Sequence, residues 1–214
     1  MSHPDVLLFE KEAWASGFAR LAGIDEAGRG PLAGPVVAAA VIFDPDYITA
    51  ELTTIYAALT DSKAMTEKRR EAYFDTLNAS AAVKIGVGIV EPEEIDRINI
   101  LRATHKAMGV AAAAVAADFA LVDGLPVQGL PCGHQAIVKG DALSISISAA
   151  SIIAKVSRDR MMVELDARHP EYGFAAHKGY GTKRHLEALR KHGALAAHRQ
   201  TFRPVAELNQ MDLL

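Results

Sequence analysis

The feature that most constrains this chain is the stretch of residues 21–31, which sets two adjacent acids between apolar runs. An apolar lead-in is followed by Asp25 and Glu26, then by a glycine turn, Gly28-Arg29-Gly30, and then by a second apolar run. This order predicts a strand, an acidic edge, a turn and a second strand. Buried carboxylates are costly unless they are paired, hydrogen-bonded or bound to metal, so the pattern favours a functional acidic site. The alternative is a strand end with solvated acids.

Composition indicates a globular protein of one domain. The chain has 214 residues, 50% of them hydrophobic and 23% charged, which is enough to bury a core and unlike a disordered chain. Its single cysteine, Cys132, excludes an intrachain disulfide and a cysteine zinc cluster. No signal peptide is visible and no apolar run is long enough to span a bilayer, so we expect a cytoplasmic protein.

Charge is unevenly distributed along the chain. The net charge is −3, yet residues 151–214 hold 11 Lys and Arg against 7 acids. Between His177 and Arg203 there are seven Lys and Arg, four His and one acid, Glu187. A basic patch opposite an acidic site is typical of an enzyme that acts on an anionic polymer, and an ordinary solvated helix face is the alternative.

Hydrophobic periodicity predicts an α/β fold. Three strands lead, and further strands then alternate with helices, which indicates a sheet with helices on both faces. The predicted strands are residues 20–25, 35–43, 83–90, 119–122 and 135–138. The predicted helices are residues 6–17, 66–78, 99–117, 146–168 and 183–191, and residues 48–59 fit either helix or strand.

Two further acids follow apolar strands, as Asp25 and Glu26 do. Asp123 ends one short strand, and Asp141 comes just after another. Functional groups in open α/β sheets gather at strand ends, so we expect these acids to converge. Carboxylates without cysteine favour Mg²⁺ or Mn²⁺ over Zn²⁺. Two such ions, about 4 Å apart, can activate water and stabilise a leaving oxygen in phosphodiester cleavage.

Together these motifs resemble a known family. The matching stretches are residues 23–37, 61–63, 122–124, 139–141, 148–159, 177–183 and 198–199, in family order over roughly residues 20–205. The chain is similar to bacterial ribonuclease HII, the type 2 branch of ribonuclease H. The first stretch and residues 148–159 are highly specific, whereas a lone Asp-Gly pair would carry no weight.

The resemblance implies a ribonuclease H fold, with a five-stranded mixed sheet flanked by helices and a helical C-terminal part. It implies one domain over residues 1–214, with a catalytic core at about 20–170 and a basic part at about 171–214. The implied activity is Mg²⁺- or Mn²⁺-dependent cleavage of the RNA strand in RNA–DNA hybrids. It includes incision 5′ of a single ribonucleotide in duplex DNA, which leaves 3′-hydroxyl and 5′-phosphate ends. Such an enzyme, expected as a monomer, would remove ribonucleotides and RNA primers.

The resemblance also assigns site residues. The catalytic, metal-holding positions fall on Asp25, Glu26, Asp123 and Asp141. Gly28, Arg29 and Gly30 fall on the loop that senses the 2′-hydroxyl, the group by which RNA differs from DNA, and Tyr180 falls on the position that packs against the junction sugar. Phosphate contacts are expected from Lys63, His177, Lys178 and Lys183. Without the resemblance, Tyr180 could be a hydrogen-bonded surface residue and each lysine a solvated charge.

Two rival functions stay open. A junction resolvase on the same fold would need a different acid set and usually a dimer. A non-catalytic duplex-binding module would favour fewer acids near phosphate. Cleavage in the presence of Mg²⁺ separates these possibilities.

The last five residues, Gln210 to Leu214, lie beyond the ribonuclease motifs. They resemble the short motif by which bacterial DNA-processing proteins dock on the replication sliding clamp. In such a complex Met211, Leu213 and Leu214 would fill an apolar pocket, and Gln210 would supply hydrogen bonds. The alternative is a terminal turn whose leucines pack on the domain's own core.

Overall fold

The computed structural model describes residues 5–57, 59 and 65–211. A five-stranded sheet has the order β3-β2-β1-β4-β5. Its strands are β1 (Leu21–Ala27), β2 (Val36–Phe43), β3 (Val83–Val90), β4 (Phe119–Asp123) and β5 (Gly133–Ile137). Strands β1, β2 and β3 are antiparallel neighbours, whereas β4 is parallel to β1 and β5 to β4. The predicted five-stranded mixed sheet is confirmed.

Helices surround this sheet along the described chain. They are α1 (Leu8–Ala15), α2 (Pro45–Glu51), α3 (Glu67–Ala79), α4 (Pro92–Ile98), α5 (Ile100–Ala114), α6 (Gly140–Leu143), α7 (Ile145–Arg168), α8 (Phe174–His177), α9 (Lys183–His192) and α10 (Arg203–Met211). The segment left open between helix and strand begins with α2, which Asp44 caps by accepting a hydrogen bond from the Tyr47 N–H. Helix α8 was not predicted, since one turn leaves no readable periodicity.

The interior strand β2, between β3 and β1, is buried along its whole length because helices cover both faces of the sheet. Ala39 and Val41 point into the core cluster that contains α7, and Ala38 and Ala40 point into the cluster that contains α5. Alternate side chains of a strand face opposite ways, so an unbroken apolar run suits this position.

Two glycines let the covering helices approach the sheet closely. A Cβ on Gly23 of β1 would lie 2.1 Å from the backbone carbon of Ser146, and one on Gly88 of β3 would lie 2.0 Å from the Ala107 oxygen. The first contact seats the start of α7 directly on the strand that carries Asp25. The glycines are therefore packing positions, and those in β3 do not interrupt the strand.

No helix among the described residues is both long enough and apolar enough to cross a membrane.

Candidate active site at the edge of the sheet

The sheet brings the acids of β1 and β4 together. These parallel strands pair Ile24 with Val122, so the residues that follow, Asp25 and Asp123, are neighbours. Asp123 in turn places Asp141, because its Oδ1 accepts hydrogen bonds from the N–H groups of Gly140 (2.6 Å) and Asp141 (3.4 Å). The end of β4 is thereby tied to the start of α6. The predicted convergence of strand ends is what the structure shows.

One expectation about β1 is wrong. The first strand was predicted to end at residue 25, but β1 continues to Ala27. Asp25 accepts a hydrogen bond from Ser151 of α7 and one of 2.7 Å from the Glu26 N–H. Glu26 instead lies 3.1 Å from the Nη1 of Arg29. The two acids reach the same edge while holding different partners.

Burial and mutual repulsion make this edge electrostatically costly. The pKa of Asp25 lies well above its usual range, first because the carboxyl is buried and then because Glu26 and Asp123 carry like charge. Burial also raises the pKa of Glu26, against the opposing effect of Arg29. A cation placed among these groups would favour their ionised forms.

The donor set fits a hard divalent cation. Its members are all carboxylates, the ligands that Mg²⁺ and Mn²⁺ prefer, and two of them carry raised pKa values. Within the described ranges, no three His, Cys, Asp or Glu side chains already stand in a metal-binding arrangement. The four acids lie at the same end of the sheet, and their side chains would have to move to coordinate an ion.

The glycine turn is held from beneath by Arg199, which is fully buried. Its guanidinium donates to the carbonyl oxygens of Gly28 (2.5 Å), Arg29 (3.0 Å) and Gly34 (2.9 Å). Gly28 has φ +96°, a conformation that favours glycine. Charge counting missed this residue's role, since it counted Arg199 as part of a basic patch.

A second buried guanidinium, that of Arg158, joins two loops. It donates to the carbonyls of Ala33 and Pro35 after the glycine turn, and to that of Lys178 beside Tyr180. A Cβ on Gly28 would lie 2.1 Å from its Nε, so Gly28 also makes room for this side chain. The sequence indicated only that Arg158 lies on a helix face, and its carbonyl partners are distant along the chain.

Tyr180 stands over the glycine turn and is 47% exposed. A Cβ on Gly30 would lie 3.6 Å from the ring of Tyr180. A cleft of about 470 Å³ joins these residues to Glu26, and Glu26 and Arg29 also line a neighbouring cleft that contains Asp123. The lining of the first cleft is Glu26, Ala27, Gly28, Arg29, Gly30, Arg70, Ser151, Lys155, Arg158 and Tyr180. The structure thus brings together the predicted acidic, glycine and tyrosine elements, and it adds Ser151, Lys155 and Arg70.

The residues predicted to contact phosphate lie in different environments. Lys183 is fully solvent-facing, with a side chain 91% exposed, and Lys178 is half-buried with its Nζ donating to the Ala175 oxygen. The phosphate contact predicted for His177 does not fit its environment. His177 is buried, its Nε2 donates to the Tyr172 oxygen, and its Nδ1 accepts from the Gly179 N–H. With both ring nitrogens used by backbone, it shapes the loop and does not present a free donor to phosphate. Lys63 lies outside the described residues.

Comparison with known proteins decides the family. Residues 22–205 match the family model described as Ribonuclease HII. The chain belongs to the ribonuclease HII family. Two ribonucleases HII are similar: that of Acetivibrio thermocellus is 50% identical over 92% of this chain and 75% of its own length, and that of Geobacillus thermodenitrificans is 52% identical over 95% and 76%.

Solved structures agree with this assignment. The ribonuclease H2 of Pyrococcus horikoshii superposes with a TM-score of 0.76 at 29% identity, over 90% of this chain and 98% of that one. The ribonuclease HII of Archaeoglobus fulgidus, solved as a complex with PCNA, gives 0.71 at 26% identity, over 86% and 95%. As a ribonuclease HII, the protein is a divalent-metal-dependent hydrolase that cleaves the RNA strand of RNA–DNA hybrids.

Proposed function

We propose that Asp25, Glu26, Asp123 and Asp141 form the metal-holding catalytic centre of this ribonuclease HII. The observation that carries the proposal is the placement of these groups: buried Asp25 lies beside Asp123 on the parallel strand β4, and Asp123 Oδ1 accepts from the N–H groups of Gly140 and Asp141. The raised pKa of Asp25, which follows from its burial and from the like charges of Glu26 and Asp123, supports the proposal. Metal bound here would supply an activated water and stabilise the leaving oxygen of the scissile phosphodiester. Ser151 and the Glu26 N–H orient the Asp25 carboxylate, and the hydrogen bonds to Asp123 fix α6 beside it.

The glycine turn and Tyr180 are proposed to recognise the ribonucleotide. The backbone of Gly28, Arg29 and Gly30 borders the cleft without bulky side chains on the glycines, so its peptide groups can approach a 2′-hydroxyl. The aromatic ring of Tyr180, which is 47% exposed, would pack against the sugar of the bound ribonucleotide. Lys155 lines the same cleft, and its Nζ lies 2.8 Å from Asp159 Oδ1, so a phosphate that it contacts would share this ammonium with Asp159.

The remaining assignments are proposals of the same kind. We treat residues 1–214 as a single ribonuclease H-type domain, with a core at about 20–170 and a basic C-terminal part at about 171–214. Lys183 is the best-exposed phosphate contact of those predicted, and Lys63 and Lys178 stay predictions. A monomer acting in the cytoplasm is expected from the sequence alone.

Docking on a sliding clamp is proposed for the C-terminal residues. The Archaeoglobus relative was solved in a complex with PCNA, which supports a clamp as a partner for proteins of this kind. In this chain α10 reaches Met211, and residues 212–214 lie outside the described part. A fluorescence titration of a peptide ending at Leu214 with purified clamp tests the idea, beside a Gln210→Ala, Leu213→Ala control. Equal binding of the two peptides would exclude it.

The test of the function is cleavage of a DNA duplex that contains one embedded ribonucleotide. We expect a single incision 5′ of the ribonucleotide with Mg²⁺ or Mn²⁺ and none with EDTA. An all-DNA duplex and an all-RNA duplex serve as controls and should stay intact. Cleavage of a four-way DNA junction instead would favour the resolvase, and binding without cleavage would favour a non-catalytic module.

A further inference from the structure

Three buried histidines lie beneath the segment that carries Tyr180. His177, His185 and His198 have relative exposures of 8%, 0% and 0%. The rings of His177 and His185 stack with centroids 4.4 Å apart, and Phe174 packs on all three imidazoles. The catalytic acids and the cleft make no use of these rings, and the sequence suggested them only as part of a basic patch.

The hydrogen bonds fix the tautomer of each ring in turn. His198 Nδ1 accepts from the Leu195 N–H at 2.9 Å, so a neutral His198 carries its proton on Nε2. That Nε2 lies 3.1 Å from His185 Nε2, which must therefore be the acceptor. His185 then carries its proton on Nδ1, which donates to the Tyr180 carbonyl oxygen at 2.9 Å. We call this chain of bonds, from Leu195 through His198 and His185 to Tyr180, the imidazole relay.

Burial keeps the relay neutral. It lowers the pKa of His198 to about 4, with the neighbouring His185 adding to the effect. Burial also lowers the pKa of His185. In the neutral pair, His198 Nε2–H donates to His185 Nε2. A doubly protonated His185 would bring two N–H groups face to face at 3.1 Å, and a doubly protonated His198 would turn its Nδ1–H toward the Leu195 N–H at 2.9 Å.

The imidazole relay completes a set of hydrogen bonds that joins three segments of the chain around the glycine turn. The Leu32 N–H donates to the Gly179 oxygen, which joins the turn's exit to the tyrosine segment. The Arg199 N–H donates to the Leu32 oxygen, and Ala33 bridges His198, which joins the exit to the segment that bears the relay. The His198–His185 bond supplies the third side, from that segment back to the Tyr180 backbone.

We propose that His185 and His198 are positioning residues that fix Tyr180 over the glycine turn through the imidazole relay. This inference rests on the proposed role of Tyr180 in ribonucleotide recognition. The ring of Tyr180 is half-exposed, so its place over Gly30 depends on how firmly its backbone is held. His198 also packs against Tyr172 and Phe174 of a core cluster, so a test variant has to keep the bulk of its side chain. Loss of the relay's hydrogen bonds would loosen the aromatic contact that Tyr180 offers to the sugar.

The test is a double-mutant cycle on a duplex with one embedded ribonucleotide. His198→Leu removes the donor to His185, and we expect it to lower kcat/KM about 10-fold, the scale typical of residues that orient a functional group. In a Tyr180→Ala background the same change should cost almost nothing, because the residue acts through Tyr180. His198→Gln, which keeps an N–H near the Nε2 position, should recover most of the activity.

The outcomes separate the two proposals. If His198→Leu and Tyr180→Ala each lower activity and their losses multiply in the double variant, the relay does not act through Tyr180 and the inference is overturned. If Tyr180→Ala alone is as active as the wild type, the recognition role of Tyr180 fails, whatever the histidines do.

A second measurement needs no variant, in case His198→Leu does not fold. ¹⁵N NMR of the labelled wild-type protein at pH 7 reports which ring nitrogen carries each proton. We expect protonated Nε2 in His198 and protonated Nδ1 in His185. The reverse tautomer in either ring, or a charged ring, would break the relay and overturn the proposal.

Discussion

Two regions of the protein hold buried charge in opposite ways. The acidic edge is formed by Asp25, Glu26, Asp123 and Asp141, and the cationic frame beneath the glycine turn is formed by Arg158 and Arg199. At the acidic edge like charges stand together, so ionisation of Asp25 is unfavourable. In the frame, Arg158 and Arg199 are buried but each donates to backbone carbonyls of neighbouring loops. The first region is poised to gain from a ligand. In the second, carbonyl oxygens satisfy the guanidinium donors, although burial and the like charge of Arg158 lower the pKa of Arg199 to about 9.

The comparison refines the basic patch that the charge count predicted in the C-terminal part. Seven Lys and Arg and four His lie between residues 177 and 203. Arg199, His185 and His198 are fully buried and do not contribute to the surface. Five of the seven basic residues are exposed: Lys183, Arg184, Arg190, Lys191 and Arg203. Five predictions test this difference between the acidic edge and the cationic frame, in order of decreasing expected effect.

The acidic edge should fail if one carboxylate becomes an amide. Asp123→Asn removes a charge that a divalent ion needs, and we expect cleavage to fall by more than about 100-fold, beyond the usual cost of changes outside the metal's own ligands. The amide oxygen can still accept from the Gly140 N–H, so circular dichroism should be unchanged. Asp75→Asn, with a side chain 73% exposed, is the control. Near-normal activity of Asp123→Asn would remove it from the site.

The cationic frame should lose stability if one guanidinium is removed. Arg199→Met leaves the carbonyls of Gly28, Arg29 and Gly34 without this donor, and we expect a loss of about 2–4 kcal/mol in urea unfolding. Arg190 is exposed, and Arg190→Met should change stability by less than about 0.5 kcal/mol. Equal losses in the two variants would show that the turn does not depend on Arg199.

Tyr180 lies where the two regions meet, so its loss should affect recognition with little effect on stability. Tyr180→Ala is expected to lower kcat/KM on a single embedded ribonucleotide by about 5- to 160-fold, from about 1–3 kcal/mol of aromatic packing. Tyr180→Phe keeps the ring and should lose less. Equal activities of the wild type and the alanine variant would refute the contact.

The acidic edge should show its repulsion as a pH dependence of stability. The folded-state pKa of Asp25 is raised above the reference 3.8, so its favourable contribution is present at low pH and lost as pH rises through the folded value. Metal-free Asp25→Asn should therefore melt about 2–4 °C above the wild type at pH 8, for about 1 kcal/mol, with a smaller gap at pH 5. Mn²⁺ should raise the wild-type Tm at pH 8 and close the gap. A gap that is independent of pH would contradict this.

The smallest effect concerns surface charge. Lys183 is 91% exposed and its ion pair with Glu187, at 3.9 Å, lies on the surface, whereas the Nζ of the half-buried Lys178 donates to the Ala175 oxygen. Lys183→Ala should reduce the salt dependence of duplex binding by about 0.9 in slope, the value for one phosphate contact on B-form DNA. Lys178→Ala should change it less. An unchanged slope in Lys183→Ala would place the binding surface elsewhere.

The sequence by itself determined the strands, the acids at their ends and the family, because these depend on local patterns: apolar runs, glycine turns and motif spacing. The predicted strand 83–90 is β3, and the predicted helix 66–78 is α3, which begins after Thr66, whose side chain accepts from the Arg69 N–H. The one-turn helices α6 and α8 were missed and α2 was left undecided, because short helices lack a readable period.

Which polar residues are internal could be seen only in the folded structure. Arg199 and the Gly28 carbonyl that it binds are 171 positions apart, and His185 and His198 meet through a bond between two separate segments. No local pattern encodes such pairings, because a basic residue reads the same whether its partner is water or a carbonyl brought in by the fold. The positions of the acids followed from sequence, and their environment, the buried arginines and the imidazole relay followed from packing.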